Sequence, residues 1–201
     1  MFGAFAEAVR ATAQPCSFLL VVPITLIVLT TGARRCVTAA AVVGAVAGGW
    51  LLTANWFVLD GVWLRLSAVC AMGALATITW ASHERFSEGA ADGPIFAWAV
   101  AALAVISTMW WRPCVGHELG AILTNSQSGL AHQLPGMTAY MFGTMVPVVA
   151  TALVVEVVAP SARQRLWIGS SAGALGIVVS GALALGHHHL LVRSLTLWTS
   201  G

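Results

Sequence analysis

The sequence has no lysine; all nine of its basic residues are arginine. Charge of either sign is scarce. Asp, Glu, Lys and Arg make up 8% of the 201 residues, against about 25% in a soluble domain. With 59% hydrophobic residues and a mean hydropathy of +0.88, this excludes a soluble globular domain. It points to an integral membrane protein, of a length that fits one compact bundle. The arginines are scattered between apolar runs, so the net charge of +2 gives no footprint for nucleic acid. The four cysteines contain no C-x-x-C pair, which excludes a zinc ribbon and a thioredoxin motif. The opening MFGAFAEAVRATAQPC lacks the basic start, apolar core and small-residue cleavage site of a secretory signal. The mature chain is therefore expected to begin near Met1.

What is present is long apolar sequence. A hydrocarbon core of about 30 Å needs roughly 20 apolar residues per helix. Four runs fit directly, at about 37–59, 62–82, 136–158 and 165–186. Two longer runs are interrupted, one over about 3–32 at Pro15 and one over about 95–124 at Pro113. Proline removes an amide donor and clashes with the preceding turn, so both helices should kink or split there. The sum is an all-α polytopic membrane bundle of six transmembrane helices. It divides into a first half (1–82), a connecting loop (83–94), a second half (95–186) and a tail (187–201).

The halves read as a repeat. QPC at 14–16 and RPC at 112–114 are 98 residues apart, and the same shift carries the second span onto the fifth. Three spans per half is an odd number, so the halves enter the membrane with opposite orientation. That is the inverted-repeat plan, in which broken helices meet near the midplane. Arginine placement sets the orientation. Arg34 and Arg35, Arg85, and Arg163 and Arg165 follow spans one, three and five, whereas the other side has only Arg10, Arg193 and, just inside a span, Arg65. The arginine-rich side is expected to be cytoplasmic and both termini external, in a bacterial inner membrane.

Cys16 and Cys114 each follow a proline in an interrupted span, at matching places in the two halves. An inverted repeat would bring them toward each other at the bundle centre, and a disulfide needs Cα atoms about 4.4–6.8 Å apart. A buried dithiol reached from each side in turn would carry two electrons across the membrane by thiol–disulfide exchange. The competing reading treats each cysteine as a small buried hydrophobe. Cys36, beside Arg34 and Arg35, reads as a structural thiol, and Cys70, within SAVCAMGAL, as a core residue.

The stretch WRPCVGHELGAIL resembles the second cysteine motif of the cytochrome c biogenesis thiol–disulfide transporters, the CcdA proteins and the membrane domain of DsbD. Trp111, Pro113, Cys114, Val115, Gly116, Leu119, Gly120, Ala121, Ile122 and Leu123 match it. QPCSFLLVVP, from Pro15 to Pro23, resembles the first motif. The resemblance implies Cys16 and Cys114 as the redox pair, with Pro15, Pro23 and Pro113 shaping the broken helices and Gly116 and Gly120 supporting the second motif. It implies electrons from cytoplasmic thioredoxin and delivery to an external thioredoxin-like protein, with cytochrome c maturation as the end use. No cofactor is required, because the thiols carry the electrons. The chain departs from the family at Leu19 and His117, where a proline is usual three residues after each cysteine, and at Glu118, where an apolar residue is usual.

On a helix, His117 and Glu118 share a face with Cys114. Ionisable groups in a span usually face an interior cavity. His117 can then act as a proton acceptor that raises the reactive thiolate of Cys114, as a soft-metal ligand together with Cys114, or as a solvated group in a vestibule. The metal reading leads to the first rival function, a metal or small-solute permease. The second rival is a non-catalytic subunit or anchor of a larger membrane complex. Glu156 reads as a carboxylate snorkelling to the interface, and GHHH at 186–189 as a solvated end. Gly44-x-x-x-Gly48 and Gly169-x-x-x-Gly173 read as close helix contacts. Trp56, Trp63, Trp80 and Trp167 read as interfacial anchors.

Overall fold

A computed structural model describes residues 2–12, 17–53, 66–67, 69–74, 77, 94–110 and 130–186. The helices are α1 (Phe2–Ala11), α2 (Phe18–Thr30), α3 (Arg35–Thr53), α4 (Pro94–Trp110), α5 (Leu130–Val158) and α6 (Ala162–Ala184). The described residues within 66–77 are also helical, and no strand occurs among the described residues. The protein is all-helical. Three stretches are long and apolar enough to cross a membrane: Arg35–Thr53, Leu134–Val158 and Ala162–Ala184. They correspond to the second, fifth and sixth expected spans. Leu20–Thr30 and Phe96–Met109 are shorter apolar helices.

Among the described residues many large apolar side chains stand on the outer surface, as on a helix that faces lipid. Val157 is 80% exposed, Trp98 76%, Trp167 70% and Val178 66%. In water such a surface would be an association liability. The core is built from Leu20, Ile24, Val37, Ala41, Val100, Leu103, Met137, Tyr140, Met141 and Met145, all buried. Four of its hydroxyls bond a backbone carbonyl one turn back in the chain. Thr38 donates to Arg34 O at 3.0 Å, Thr108 to Ala104 O at 2.8 Å, Thr144 to Met141 O at 2.8 Å and Ser180 to Gly176 O at 2.7 Å. Such local bonds let polar side chains stand in an apolar interior without an open donor.

The helix ends follow from local chemistry. α2 stops at Gly32, whose φ of +70° suits glycine. The Ala33 amide returns to Val28 O at 3.0 Å and the Gly32 amide to Leu29 O at 2.9 Å, the paired bonds of a Schellman ending. α6 starts from a reciprocal cap between Ser161 and Gln164. Pro23 lies buried inside α2, which runs through it. It is the sixth residue of that helix, so its missing N–H costs one hydrogen bond near the start. Pro135 and Pro147 are likewise inside α5; membrane helices tolerate such positions when neighbours support the backbone.

Glycine sets the helix contacts. A Cβ on Gly44 would stand 2.2 Å from Ala101 O, and one on Gly48 would stand 2.8 Å from Thr108 Cβ. The sequence numbers rise together, so α3 and α4 run parallel with their backbones nearly touching. On Gly143 a Cβ would meet Ala8 Cβ at 2.6 Å, seating α1 on α5; on Gly169 it would meet Thr30 O at 2.9 Å, seating α6 on α2. The expected contacts at Gly44, Gly48 and Gly169 are therefore real, and each has an identified partner. α3 and α5 run antiparallel. Arg35 Nη2 reaches Glu156 Oε1 at 2.9 Å at one end, and Trp50 Nε1 donates to Thr138 Oγ1 at 2.8 Å at the other.

Candidate functional site

The two Pro-Cys pairs define the candidate site. Pro15 and Cys16, and Pro113, Cys114, Gly116, His117, Glu118 and Gly120, lie outside the described residues. Of the expected site residues, Pro23 is described, in α2. The frame around the first pair is defined on both sides.

α1 ends at Ala11 and α2 begins at Phe18, so the first interrupted span is two helices. A helix end leaves its last carbonyls without partners, and burial makes that costly. Ser17, next after Cys16 in the chain, resolves part of this. It is 2% exposed, and its hydroxyl donates to Ala11 O at 2.6 Å. Thr12 adds a bond from its hydroxyl to Val9 O at 2.5 Å. One buried hydrogen bond thus joins the end of α1 to the start of α2. α1 reaches α5 where Ala8 meets Gly143, near the midpoint of Leu130–Val158. The end of α1, one turn beyond Ala8, and Ser17 bonded to it therefore stand away from the ends of α5. Sequence reasoning found the proline break and missed Ser17, whose signal is a hydroxyl directly after a broken helix.

On the second side, α4 rises along α3 past Gly48 and is described to Trp110. The Pro113–Cys114 segment follows it in the chain. Both segments are thus reached from helices packed on glycines of the long helices α3 and α5.

One end of the bundle is strongly basic. Gly32 and Arg165 are neighbours across the α2–α3 and α5–α6 turns, a Cβ on Gly32 falling 3.7 Å from Arg165 Cβ. Arg34, Arg35, Arg163 and Arg165 therefore gather at one end. Glu156 is held there by Arg35, with Nε at 3.1 Å and Nη2 at 2.9 Å from its Oε1, where the sequence indicated only a snorkelling carboxylate. Arg165 Nε donates to Ala159 O at 2.8 Å. Cys36 is exposed, and Cys70, expected in the core, is exposed as well. Among the described residues no group of three His, Cys, Asp or Glu side chains is placed to hold a metal ion. His187, His188 and His189 lie outside the described residues.

No family model, curated protein or solved structure matches the chain. The class defined by the fold is an all-helical protein with membrane-length apolar helices.

The three roles of His117 are separable by reactivity. If His117 takes the proton of Cys114, His117→Ala should slow alkylation of the reduced thiol near neutral pH by roughly tenfold, less than the about 10²–10⁴-fold of a positioned base because a solvated vestibule weakens the effect. The loss should shrink at high pH, where the thiol ionises unaided. A metal role gives a different result: copper or zinc protects Cys114 in the wild type and His117→Ala removes the protection. An unchanged rate with no metal effect leaves His117 as a solvated side chain.

Proposed function

We propose that this protein carries reducing equivalents across a bacterial cytoplasmic membrane by thiol–disulfide exchange, with Cys16 and Cys114 as the redox pair. The observation that carries the reading is the first Pro-Cys pair. In the chain it lies between α1 and α2, whose facing ends are joined by the buried Ser17–Ala11 hydrogen bond, and a second Pro-Cys pair recurs 98 residues later. Helix pairing supports an inverted repeat of three spans per half. Moving α3 by 98 positions lays it on 133–151 of α5, and moving α1 lays it on 100–109 of α4. The α3–α4 and α5–α1 contacts then exchange with each other. Equivalent helices of an inverted repeat point in opposite directions, and α3 and α5 run antiparallel. The arginine-rich end supports a cytoplasmic placement of the α2–α3 and α5–α6 turns, with both termini external.

The exchange proceeds in two balanced halves. The dithiol of cytoplasmic thioredoxin reduces the Cys16–Cys114 disulfide, giving up two electrons and two protons and becoming a disulfide. The reduced pair then attacks the disulfide of an external thioredoxin-like protein. A mixed disulfide forms, and the second thiol of the pair resolves it. The partner leaves reduced, with reduction of apocytochrome c thiols as the end use, and Cys16–Cys114 is again oxidised.

The test follows from the resolving step. In Cys114→Ser, Cys16 should open the partner's disulfide and remain bonded to it; in Cys16→Ser, Cys114 should do the same. Acid-quenched membranes should then contain a covalent adduct of this chain with a thioredoxin-like protein, released by reductant. No adduct in either single mutant contradicts the redox reading and favours a non-catalytic membrane subunit.

A further inference from the structure

The corner between α5 and α6 holds a feature that the redox reading does not use. Val158, Ala159, Arg163, Gln164, Trp167 and Ile168 line an open recess of about 430 Å³. Its shape is fixed by the chain around it. Arg165 bonds the Ala159 carbonyl, and Ser161 and Gln164 cap each other. The floor and wall are apolar, from Val158, Ala159, Ile168 and the indole of Trp167, which is 70% exposed. The cation at the rim is Arg163. Below the recess, the flank of α5 offers Leu153, Val154 and Val157, 55%, 57% and 80% exposed.

We propose that this recess binds the headgroup of an anionic phospholipid, with Arg163 on the phosphate and the upper acyl carbons against Trp167 and the α5 flank. The charge at this end argues for that occupant. Arg34, Arg35, Arg163 and Arg165 converge here, and Glu156 is held by Arg35. A guanidinium matches phosphate oxygens in a bidentate fork, and an exposed indole beside it suits the boundary between headgroup and chains. The arginine-rich end is the end expected to face the cytoplasm, whose leaflet presents anionic lipid. A soluble anion would leave the apolar floor and the flank uncovered. A lipid covers both. The proposal requires only a membrane-embedded chain, so it stands or falls apart from the redox chemistry.

The full chain, purified in neutral detergent, should be titrated with phosphatidylglycerol and, separately, phosphatidylcholine, and the bound lipid counted by native mass spectrometry. The wild type should retain phosphatidylglycerol in preference. Arg163→Gln should lower that retention about fivefold, the worth of one arginine near an anionic surface, and leave phosphatidylcholine unchanged. Trp167→Ala should lower retention of both lipids. Arg10→Gln, at an exposed arginine of α1 outside the recess, should change neither. Millimolar inorganic phosphate should not displace the lipid. Equal retention by wild type and Arg163→Gln would overturn the proposal, as would an equal loss in Arg10→Gln or displacement by free phosphate. Arg163 and Trp167 are both exposed, and a thermal midpoint for each variant confirms that the fold is retained.

Discussion

Leucine at Gly44 should prevent the α3–α4 pair from forming. The site leaves no room even for a methyl group, because a Cβ there would lie 2.2 Å from Ala101 O and 2.9 Å from Ala101 C and Cα. The obstacle is backbone, and backbone cannot rotate aside as a flexible side chain can. One turn on, Gly48 meets Thr108 Cβ at 2.8 Å and Val105 O at 3.0 Å, so α4 cannot escape by sliding along α3. Overpacking typically costs about 1–3 kcal/mol when side chains and backbone can adjust. Gly44→Ala should therefore cost at least that much, and Gly44→Leu should remove the folded state in mild detergent. Helix pairs in membranes depend on close packing of small residues, since lipid supplies no hydrophobic drive between helices. Val43 is the control. It is 65% exposed, and Val43→Leu should leave the unfolding midpoint unchanged. Denaturant titration followed by circular dichroism reads all three. A wild-type midpoint for Gly44→Leu would contradict the α3–α4 packing.

Loss of either proposed redox cysteine should stop electron transfer completely. A lone thiol can form a mixed disulfide, but it cannot resolve one or store two electrons. In vesicles with reduced thioredoxin on one side and an oxidised thioredoxin-like acceptor on the other, Cys16→Ser and Cys114→Ser should each leave the acceptor oxidised. Cys36→Ser and Cys70→Ser should leave the rate intact. Cys36 is the second residue of α3, at the basic end, and Cys70 lies on an exposed helical surface. A rate lost in Cys36→Ser and kept in Cys16→Ser would reassign the redox pair.

The parts of this architecture that were legible in the sequence are those written in local chemistry. Membrane-length helices show as uninterrupted apolar runs: α3, α5 and α6 overlap 37–59, 136–158 and 165–186, though the end of α3 and the start of α5 each differ by six residues. The Gly44 and Gly48 contact shows as two small residues one turn apart, and the α1–α2 break as Pro15. Pairings between distant residues left no such mark. Arg35 and Glu156 are 121 residues apart, and each alone is an interfacial charge. Pro23 lies near the start of α2, where a proline removes little of the hydrogen-bond ladder, and the helix continues through it. Met137, Met141 and Met145 recur every four residues and are fully buried, with Met141 pressed on Gly49. That spacing was visible, but nothing local named the helix it would face.

The central claim is that Cys16 and Cys114 are partners. Mild oxidation of membranes, proteolysis under non-reducing conditions and mass spectrometry of the peptides test it most directly. The account predicts a peptide linking Cys16 to Cys114, lost on reduction and absent from Cys16→Ser. Linkage of Cys16 to Cys36 or Cys70 instead, or full alkylation of both Cys16 and Cys114 after oxidation, would contradict it.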